Sequence, residues 1–247
     1  MRTVTLRREQ TAQGPLILVN PAHPLRPGPA PALTAPDHRY PGVLLERRTA
    51  CLLAACVRAA GGEQDIVPVS GWRSQAEQQG IWDDTLAAEG AAFTRRYVAL
   101  PGCSEHQTGL AVDLGKRAEH IDFIRPDFPE AGPCGAFRRL AAAYGFVQRY
   151  RREKEAVTGI GAEPWHFRYV GAPHAALLEE NGLCLEEYGD FLRTGPKERT
   201  LSNGRRVRVS WLPCPGGAVE AELPEGVCQI SGDNGGGFIL TVWEAPV

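Results

Sequence analysis

The sequence predicts an α+β fold in which a central, mostly antiparallel sheet is flanked by helices and followed by a small all-β unit. Helical and extended segments are mixed along residues 43–181, but without the regular strand–helix–strand order of a parallel sheet. From Thr200 onward, only short extended segments separated by turn residues follow. The chain has 247 residues, of which 43% are hydrophobic, so it is long enough to bury a full core. We expect one domain over residues 1–193 and an all-β appendage over residues 194–247.

The first half of the chain predicts an extended arm, a helix, a strand and a second helix. Residues 14–42 are rich in proline and predict a largely irregular arm. Val43–Ala60 carries apolar residues near helical spacing, and Ile66–Val69 is a short β-branched run typical of a buried strand. Ser74 is followed three residues later by Glu77, which is the pattern of a capping box, so the next helix begins there.

The second half continues this mixture of elements and then changes to strands alone. Strands are predicted over Leu110–Leu114, Phe146-Val147 and Trp165–Val170, and helices over Phe137–Tyr144 and Pro173–Asn181. The appendage has four predicted strands, which are Arg205–Leu212, Val219–Leu223, Val227–Ser231 and Phe238–Trp243. Asn203-Gly204 predicts a two-residue hairpin turn before the first of them, and residues 233–237 predict a second turn.

Charge and composition argue against several classes of protein. The 27 basic residues are balanced by 29 acidic ones, which argues against a protein that binds nucleic acid through its phosphates. No run approaches the ~18 apolar residues of an integral membrane segment. The N-terminus lacks the apolar stretch of a secretory signal, and the seven cysteines form no CxxC pair. These features favour a cytoplasmic protein with reduced thiols and leave its oligomeric state open.

Two segments carry candidate metal ligands. In the predicted strand Leu110–Leu114, the Asp113 carboxylate lies among apolar neighbours, which is costly unless it meets a cation or a metal. His106 lies in the turn just before this strand, and Gly109 between them lets the chain bend so that the two side chains meet. His166 lies in a strand further along the chain and supplies a second imidazole.

Glu163 stands apart from these three as a free carboxylate. Pro164 marks the entrance of the strand, so we expect Glu163 on the preceding turn, beside a metal rather than bound to it. Two imidazoles and one carboxylate form a catalytic zinc set whose fourth position is left for water. A free carboxylate next to that water is the general base that a metallohydrolase requires, and it later passes the proton to the leaving amine.

Three further residues have the chemistry to contact a substrate. Arg73 lies between a strand and a capped helix, a rigid place from which a positive charge stabilises the oxyanion formed when a peptide carbonyl is attacked. Gln78, in the same helix, and Ser104, in the turn before His106, offer neutral hydrogen bonds to a substrate end.

These residues together resemble the zinc D-alanyl-D-alanine carboxypeptidases and dipeptidases of the VanY/VanXY type, a group of LAS-type metallopeptidases. The resemblance rests on S-x-H-x-x-G-x-A-x-D over Ser104–Asp113 and E-P-W-H over Glu163–His166, with SGWRS-x3-Q over Ser70–Gln78 and LILVNPAHPL over Leu16–Leu25 in support. It implies one zinc ion per chain held by His106, Asp113 and His166, with Glu163 as base and with Arg73, Gln78 and Ser104 contacting the substrate. It covers roughly residues 15–185, and the appendage matches no motif of that family.

The resemblance implies hydrolysis of D-Ala-D-Ala termini in peptidoglycan peptides or precursors, by carboxypeptidase or dipeptidase action. Two alternatives remain open at this point. An L,D-carboxypeptidase or a peptidoglycan endopeptidase would use the same zinc site, and residue spacing does not report the stereochemistry of the pocket. A binding module that holds wall peptides without turnover would have no need for a base at Glu163.

Overall fold

The computed structural model describes residues 1–201 and 204–244. The helices of these residues are α1 (Arg47–Ala59), α2 (Gln75–Tyr97), α3 (Gly132–Ala141), α4 (Glu155–Thr158), α5 (Ala172–Glu180) and α6 (Leu185–Arg193), with short 3-10 helices at Arg8–Ala12, Glu105–Thr108, Ala142–Tyr144 and Arg152–Lys154. The strands are β1 (Arg2–Arg7), β2 (Leu33–Thr34), β3 (Leu45–Glu46), β4 (Ile66–Ser70), β5 (Ala111–Lys116), β6 (Phe146–Tyr150), β7 (Glu163–Tyr169), β8 (Lys197–Thr200), β9 (Arg206–Pro213), β10 (Ala218–Leu223), β11 (Val227–Gly232) and β12 (Gly237–Trp243).

The chain divides into two compact units. The larger unit contains Asn20–Leu25 and Pro29–Cys184, and the smaller unit contains Met1–Val19, Arg26–Gly28 and Leu185–Val247. This division differs from the predicted boundary at residue 194, because β1 at the N-terminus pairs along its whole length with β10 and because α6 contacts β9. No helix of the described residues combines the length and the apolar character needed to cross a bilayer.

The larger unit is built on an antiparallel sheet with the strand order β4-β5-β7-β6, so the predicted α+β class is confirmed. Alternation along β5 directs Val112 and Leu114 into a core formed with α1 and α3, and directs Asp113 to the other face. The rings of Phe128, Phe137 and Phe167 meet edge to face in this core, with centroids 5.0–5.9 Å apart, an arrangement that stabilises aromatic clusters.

In two helices of the larger unit, side-chain hydrogen bonds to the backbone cap the first turn and so set where the helix begins. In α2, the Ser74 hydroxyl accepts a hydrogen bond from the Glu77 N–H, and the Glu77 carboxylate accepts one from the Ser74 N–H, so the predicted capping box is present. Helix α1 begins at Arg47, later than the predicted Val43. The residues just before Arg47 form β3, which pairs with β2, so they are not helical. The Glu46 carboxylate then caps the helix by accepting hydrogen bonds from backbone N–H groups of its first turn.

The smaller unit contains a sheet with the order β11-β12-β9-β8 and the β1-β10 pair. The predicted turn at residues 233–237 is present. The carboxylate of Asp233 accepts hydrogen bonds from the backbone N–H groups of Gly235 (2.7 Å) and Gly237 (2.9 Å) and from the indole of Trp211 (2.8 Å). Strands β8 and β9 pair antiparallel, while Asn203, on which the hairpin prediction rests, lies outside the described residues, as do residues 245–247.

Candidate metal and catalytic site

The strand register brings two of the candidate ligands together. Asp113 on β5 lies directly opposite His166 on β7, and Asp113 Oδ1 is 2.9 Å from His166 Nδ1. Residues that are directly opposite on neighbouring antiparallel strands have adjacent side chains. Both side chains point away from the apolar core because they share the opposite face of the sheet.

The third candidate ligand comes from the turn before β5. His106 lies in the 3-10 helix Glu105–Thr108, which ends at Gly109 with a φ of 73°, a conformation that glycine adopts at little cost. The chain then turns into β5, and His106 Nε2 lies 3.2 Å from Asp113 Oδ2. The ligand atoms of His106, Asp113 and His166 all lie within 4.8 Å of one another, and the three residues are buried.

This cluster fits a zinc ion by its donor atoms. His106 Nδ1 lies 2.7 Å from the carbonyl oxygen of Gly71; an N–H donated there leaves the Nε2 lone pair directed at the cluster. Although burial opposes the charged form, the two imidazoles hold the pKa of Asp113 well below its usual range, so the carboxylate is ionised. Imidazole nitrogens and an ionised carboxylate are ligands that zinc prefers.

An irregularity in β7 brings Glu163 to the same side as His166. Between the pairs Gln148–Phe167 and Tyr150–Glu163, the register of β6 and β7 shifts, with more residues on β7 than on β6. In a regular strand, residues three positions apart point to opposite faces. Here Glu163 Oε2 instead lies 3.6 Å from His166 Nδ1. The prediction that Glu163 precedes the strand is therefore corrected: it is the first residue of β7.

The environment of Glu163 favours a carboxyl group that can hold a proton. Burial is the main cause that raises its pKa to about 8, and the charge of Asp113 adds to this effect, while His166 and Arg73 oppose it. For His166, burial would lower the pKa, but contacts with Asp113, Glu105 and Glu163 outweigh this and raise it to about 9.

Arg73 is held by three directed contacts. Its guanidinium donates hydrogen bonds to the Ser70 hydroxyl (2.9 Å), to the amide oxygen of Gln78 (3.3 Å) and to Asp113 Oδ2 (3.0 Å). The side chain is only 12% exposed. A fixed positive charge therefore lies next to the carboxylate of the candidate metal cluster.

The structure places Ser104 and Gln78 differently. Ser104 is buried and lines the same cavity as the three candidate ligands. Gln78 is completely buried, its amide nitrogen donates to the carbonyl oxygen of Ala99 (2.8 Å) and its amide oxygen accepts from Arg73. Gln78 is not among the residues that line the cavity, so this structure does not bring it to the place where a substrate would lie.

The cavity is lined by both polar and apolar residues. The polar ones are the three candidate ligands with Arg73, Ser104, Glu105 and Glu163. The apolar and aromatic ones are Ile81, Tyr97, Val98, Ala99, Phe123, Ile124, Tyr150, Ile160 and Trp165. Such a site can accept a ligand that carries both polar groups and small apolar substituents.

Sequence reasoning missed a cluster of buried charges behind His166. Glu105 Oε1 lies 2.8 Å from Arg149 Nε and 2.9 Å from a terminal nitrogen of Arg168. All three residues are 0–2% exposed. The two arginines hold the pKa of Glu105 far below its usual range despite its burial. One signal was available, because Arg168 is two positions after His166 in the strand and therefore shares its face.

An α+β fold with a buried His-Asp-His cluster beside a further carboxylate and an arginine fits a zinc-dependent metallopeptidase. Within that class the chain belongs to the VanY family, D-alanyl-D-alanine carboxypeptidases, whose profile matches residues 44–172. The resemblance noted from the motifs is thus confirmed.

Individual relatives agree with this assignment. The bifunctional D-Ala-D-Ala dipeptidase and D-Ala-D-Ala carboxypeptidase VanXYC of Enterococcus gallinarum is 43% identical over 182 residues, which are 72% of this chain and 94% of that protein. A solved structure shows the vancomycin resistance D,D-dipeptidase VanXYg in complex with a D-Ala-D-Ala phosphinate analog. It matches this chain with a TM-score of 0.96 at 45% identity, and the match covers 98% of this chain and 99% of the VanXYg chain. The smaller unit therefore has a counterpart in VanXYg, although no sequence motif had indicated one.

A second solved structure concerns the metal. A mutant of the D,D-pentapeptidase VanY from the VanB-type resistance cassette, in complex with Zn(II), is 33% identical and has a TM-score of 0.58. It covers 70% of this chain and 98% of that chain. This relative binds zinc on a related fold.

Proposed function

We propose that this protein is a zinc-dependent D,D-carboxypeptidase and D,D-dipeptidase that hydrolyses D-Ala-D-Ala termini of peptidoglycan peptides or precursors. The observation that carries the proposal is that one ligand-type atom from each of His106, Asp113 and His166 lies within 4.8 Å of the other two, with Glu163 lining the same cavity. The substrates named for VanXYC and VanXYg support this choice of peptide bond.

The metal would be held by His106, Asp113 and His166. Zinc bound there supplies Lewis-acid chemistry, because it polarises a carbonyl and lowers the pKa of water toward ~7. The buried position of the cluster keeps its electrostatic interactions strong, since little water screens them.

Glu163 is the proposed catalytic acid and base. Its carboxylate takes the proton of the attacking water and then delivers that proton to the nitrogen of the departing amino acid, so that one group serves both halves of the hydrolysis. Burial and the charge of Asp113 raise the pKa of Glu163, and a raised pKa suits a carboxyl group that has to hold a proton between the two halves of the reaction. The free carboxylate also argues against a module that only binds wall peptides.

Arg73 and Ser104 contact the substrate in this proposal, and Gln78 acts through Arg73. The guanidinium stabilises the negative charge that develops on the carbonyl oxygen, and the contacts to Ser70 and Gln78 keep it in place. The Ser104 hydroxyl lies in the cavity and offers a neutral hydrogen bond to the substrate. For Gln78, the geometry favours a positioning role over the direct substrate contact that the family resemblance implies.

A defined set of peptides tests the proposed activity. Purified zinc-loaded protein is incubated with D-Ala-D-Ala, with a pentapeptide ending in D-Ala-D-Ala, and with a tetrapeptide ending in an L,D bond, and released D-Ala is quantified. We expect release from the first two substrates and little from the third. Preferential release from the tetrapeptide would replace the proposal with an L,D-carboxypeptidase, and binding without turnover would replace it with a binding module.

Removal of the ligand charge at Asp113 is expected to abolish stable zinc binding. Asp113→Asn replaces an ionised oxygen with a neutral amide, which is a poor zinc ligand. After dialysis, metal analysis should find close to one zinc ion per wild-type chain and almost none per variant chain. The matched control is Asp127→Asn at an exposed position, which should keep its zinc. Full zinc occupancy of the Asp113 variant would contradict the assigned ligand set.

Loss of the Gln78 amide is expected to reduce turnover without removing the metal. Gln78→Leu keeps approximately the same volume but removes the acceptor for Arg73, and a hydrogen bond to a charged group contributes about 1.5–3 kcal/mol. We therefore expect kcat to fall roughly 10-fold or more, with unchanged zinc content. Gln79→Leu, at the exposed neighbouring position, is the control and should retain wild-type kinetics. An increase in KM at constant kcat would instead support direct substrate binding by Gln78.

The place of action is also part of the proposal. We infer that the protein acts in the cytoplasm on free dipeptide or soluble precursor. Fractionation of the source cells, followed by immunodetection, tests this location. Detection in the cell envelope fraction alone would contradict it.

A further inference from the structure

One oxygen of the buried Glu105 carboxylate pairs with two arginines, whereas the other forms no hydrogen bond with any described residue. Oε1 lies 2.8 Å from Arg149 Nε and 2.9 Å from a terminal nitrogen of Arg168. Oε2 is buried and has no hydrogen-bond partner among the residues that the structure describes. Buried polar atoms without a partner are rare in folded proteins, so each requires a physical explanation.

The facing atom is the second ring nitrogen of a candidate zinc ligand. His166 Nε2 lies 3.6 Å from Glu105 Oε2, and it too is buried without a hydrogen-bond partner in the described part of the chain. The separation is too short for a bridging water molecule. A small adjustment that brings the two atoms into hydrogen-bond distance would satisfy both at once.

We propose that Glu105 is a positioning residue that orients His166 for zinc, an inference that rests on the proposed zinc site. An ionised carboxylate can only accept hydrogen bonds, so it requires the proton of His166 on Nε2. The lone pair of the metal-bound ring is then on Nδ1, the atom that lies 2.9 Å from Asp113 Oδ1 and faces the cluster. Carboxylates that accept a hydrogen bond from a ligating histidine fix its tautomer and ring orientation.

The two arginines keep the carboxylate in the required orientation. Because Arg149 and Arg168 both contact Oε1, the other oxygen is directed at the imidazole. Arg168 follows His166 by two positions in β7 and shares its face, while Glu105 immediately precedes His106. One short 3-10 helix thus supplies both a metal ligand and the group that orients a second ligand, which couples the geometry of the two imidazoles.

Zinc affinity measured without substrate tests this inference. Metal-free protein is titrated with zinc in competition with a chromogenic chelator, for the wild type and for Glu105→Gln. We expect the variant to bind zinc about 10- to 100-fold more weakly, which is the usual effect of removing such an outer partner. Equal affinity of the two proteins would overturn the inference. Since no substrate is present, this failure is distinguishable from a lack of peptidase activity.

A matched control separates positioning from loss of stability. Leu53→Ala truncates a buried core residue of α1 that does not line the cavity. It should lower the melting temperature yet leave the zinc dissociation constant unchanged, because it does not touch the ligands. An equal loss of zinc affinity in both variants would overturn the positioning role.

Two further measurements address the case in which Glu105→Gln does not fold. Glu105→Asp keeps the negative charge beside both arginines but withdraws the carboxylate from His166 by one methylene, and it should still weaken zinc binding. Nitrogen-15 NMR of histidine-labelled, zinc-loaded wild type should show the His166 ring protonated at Nε2 and metal-bound at Nδ1. Zinc bound through Nε2, or wild-type affinity in the Asp variant, would overturn the proposal.

Discussion

Glu163→Gln is expected to reduce hydrolysis of D-Ala-D-Ala by about 10²- to 10⁴-fold, the usual contribution of a general acid–base group, while the zinc content stays at one ion per chain. The substitution keeps the shape of the side chain but removes its ability to accept and release a proton. Because Glu163 lies beside the three candidate ligands rather than among them, the metal should remain bound. Steady-state kinetics and metal analysis on the same preparation measure both effects.

The control for this variant is Glu153→Gln, an exposed carboxylate between β6 and α4. It should retain wild-type kinetics, so a general effect of removing negative charge near this segment would be detected. Near wild-type turnover of Glu163→Gln would show that another group moves the proton. Loss of zinc together with turnover would instead place Glu163 in the ligand set.

The local sequence predicted most of the residues that converge in the site. Gly109 ends the turn that carries His106, and the alternation within β5 places Asp113 on the face away from the apolar core. Their partner, His166, was predicted from the E-P-W-H motif, and the register of β5 and β7 then places it opposite Asp113. Turn chemistry and strand period are readable from neighbouring residues, whereas the register of β5 and β7 is not.

Features that depend on long-range pairing were not predicted. The register shift that turns Glu163 toward His166 arises from how β6 and β7 pair, and a single strand carries no signal for it. Strand β1 was missed because its partner, β10, lies about 200 residues further along the chain. The contact between Glu105 and its two arginines joins three separate segments, so only the shared face of Arg168 and His166 could have indicated it.

The site contains several charged side chains that are almost fully buried and contact one another. A change in one of them therefore alters the electrostatic environment of the others. Asp113 contacts both candidate imidazoles and also Arg73. In a buried environment each of these interactions is less screened than at the surface. Substitutions within this group should therefore show non-additive effects, so each kinetic change has to be read together with the metal content of the same variant.

Arg73→Met is expected to lower kcat by about 10²- to 10³-fold, the effect observed when a donor to a developing oxyanion is removed. The methionine keeps much of the apolar length of the side chain but lacks the charge and the three directed hydrogen bonds. Arg73→Lys should recover only part of the loss, because an ammonium group is a compact charge without the planar fork of a guanidinium. Arg95→Met, an exposed arginine near the end of α2, is the control and should leave kcat unchanged.

Binding measurements distinguish stabilisation of the developing charge by Arg73 from simple substrate binding. They compare the affinity of the variant for an uncleaved peptide with its affinity for a tetrahedral analogue. If Arg73 stabilises the charge that appears during attack, the Met variant should lose much more affinity for a phosphinate analogue of D-Ala-D-Ala than for an uncleaved peptide. Its zinc content should stay at the wild-type level, although Asp113 loses one hydrogen bond. Equal losses for both ligands would assign Arg73 to simple substrate binding, and loss of zinc would show that its contact with Asp113 serves the metal cluster instead.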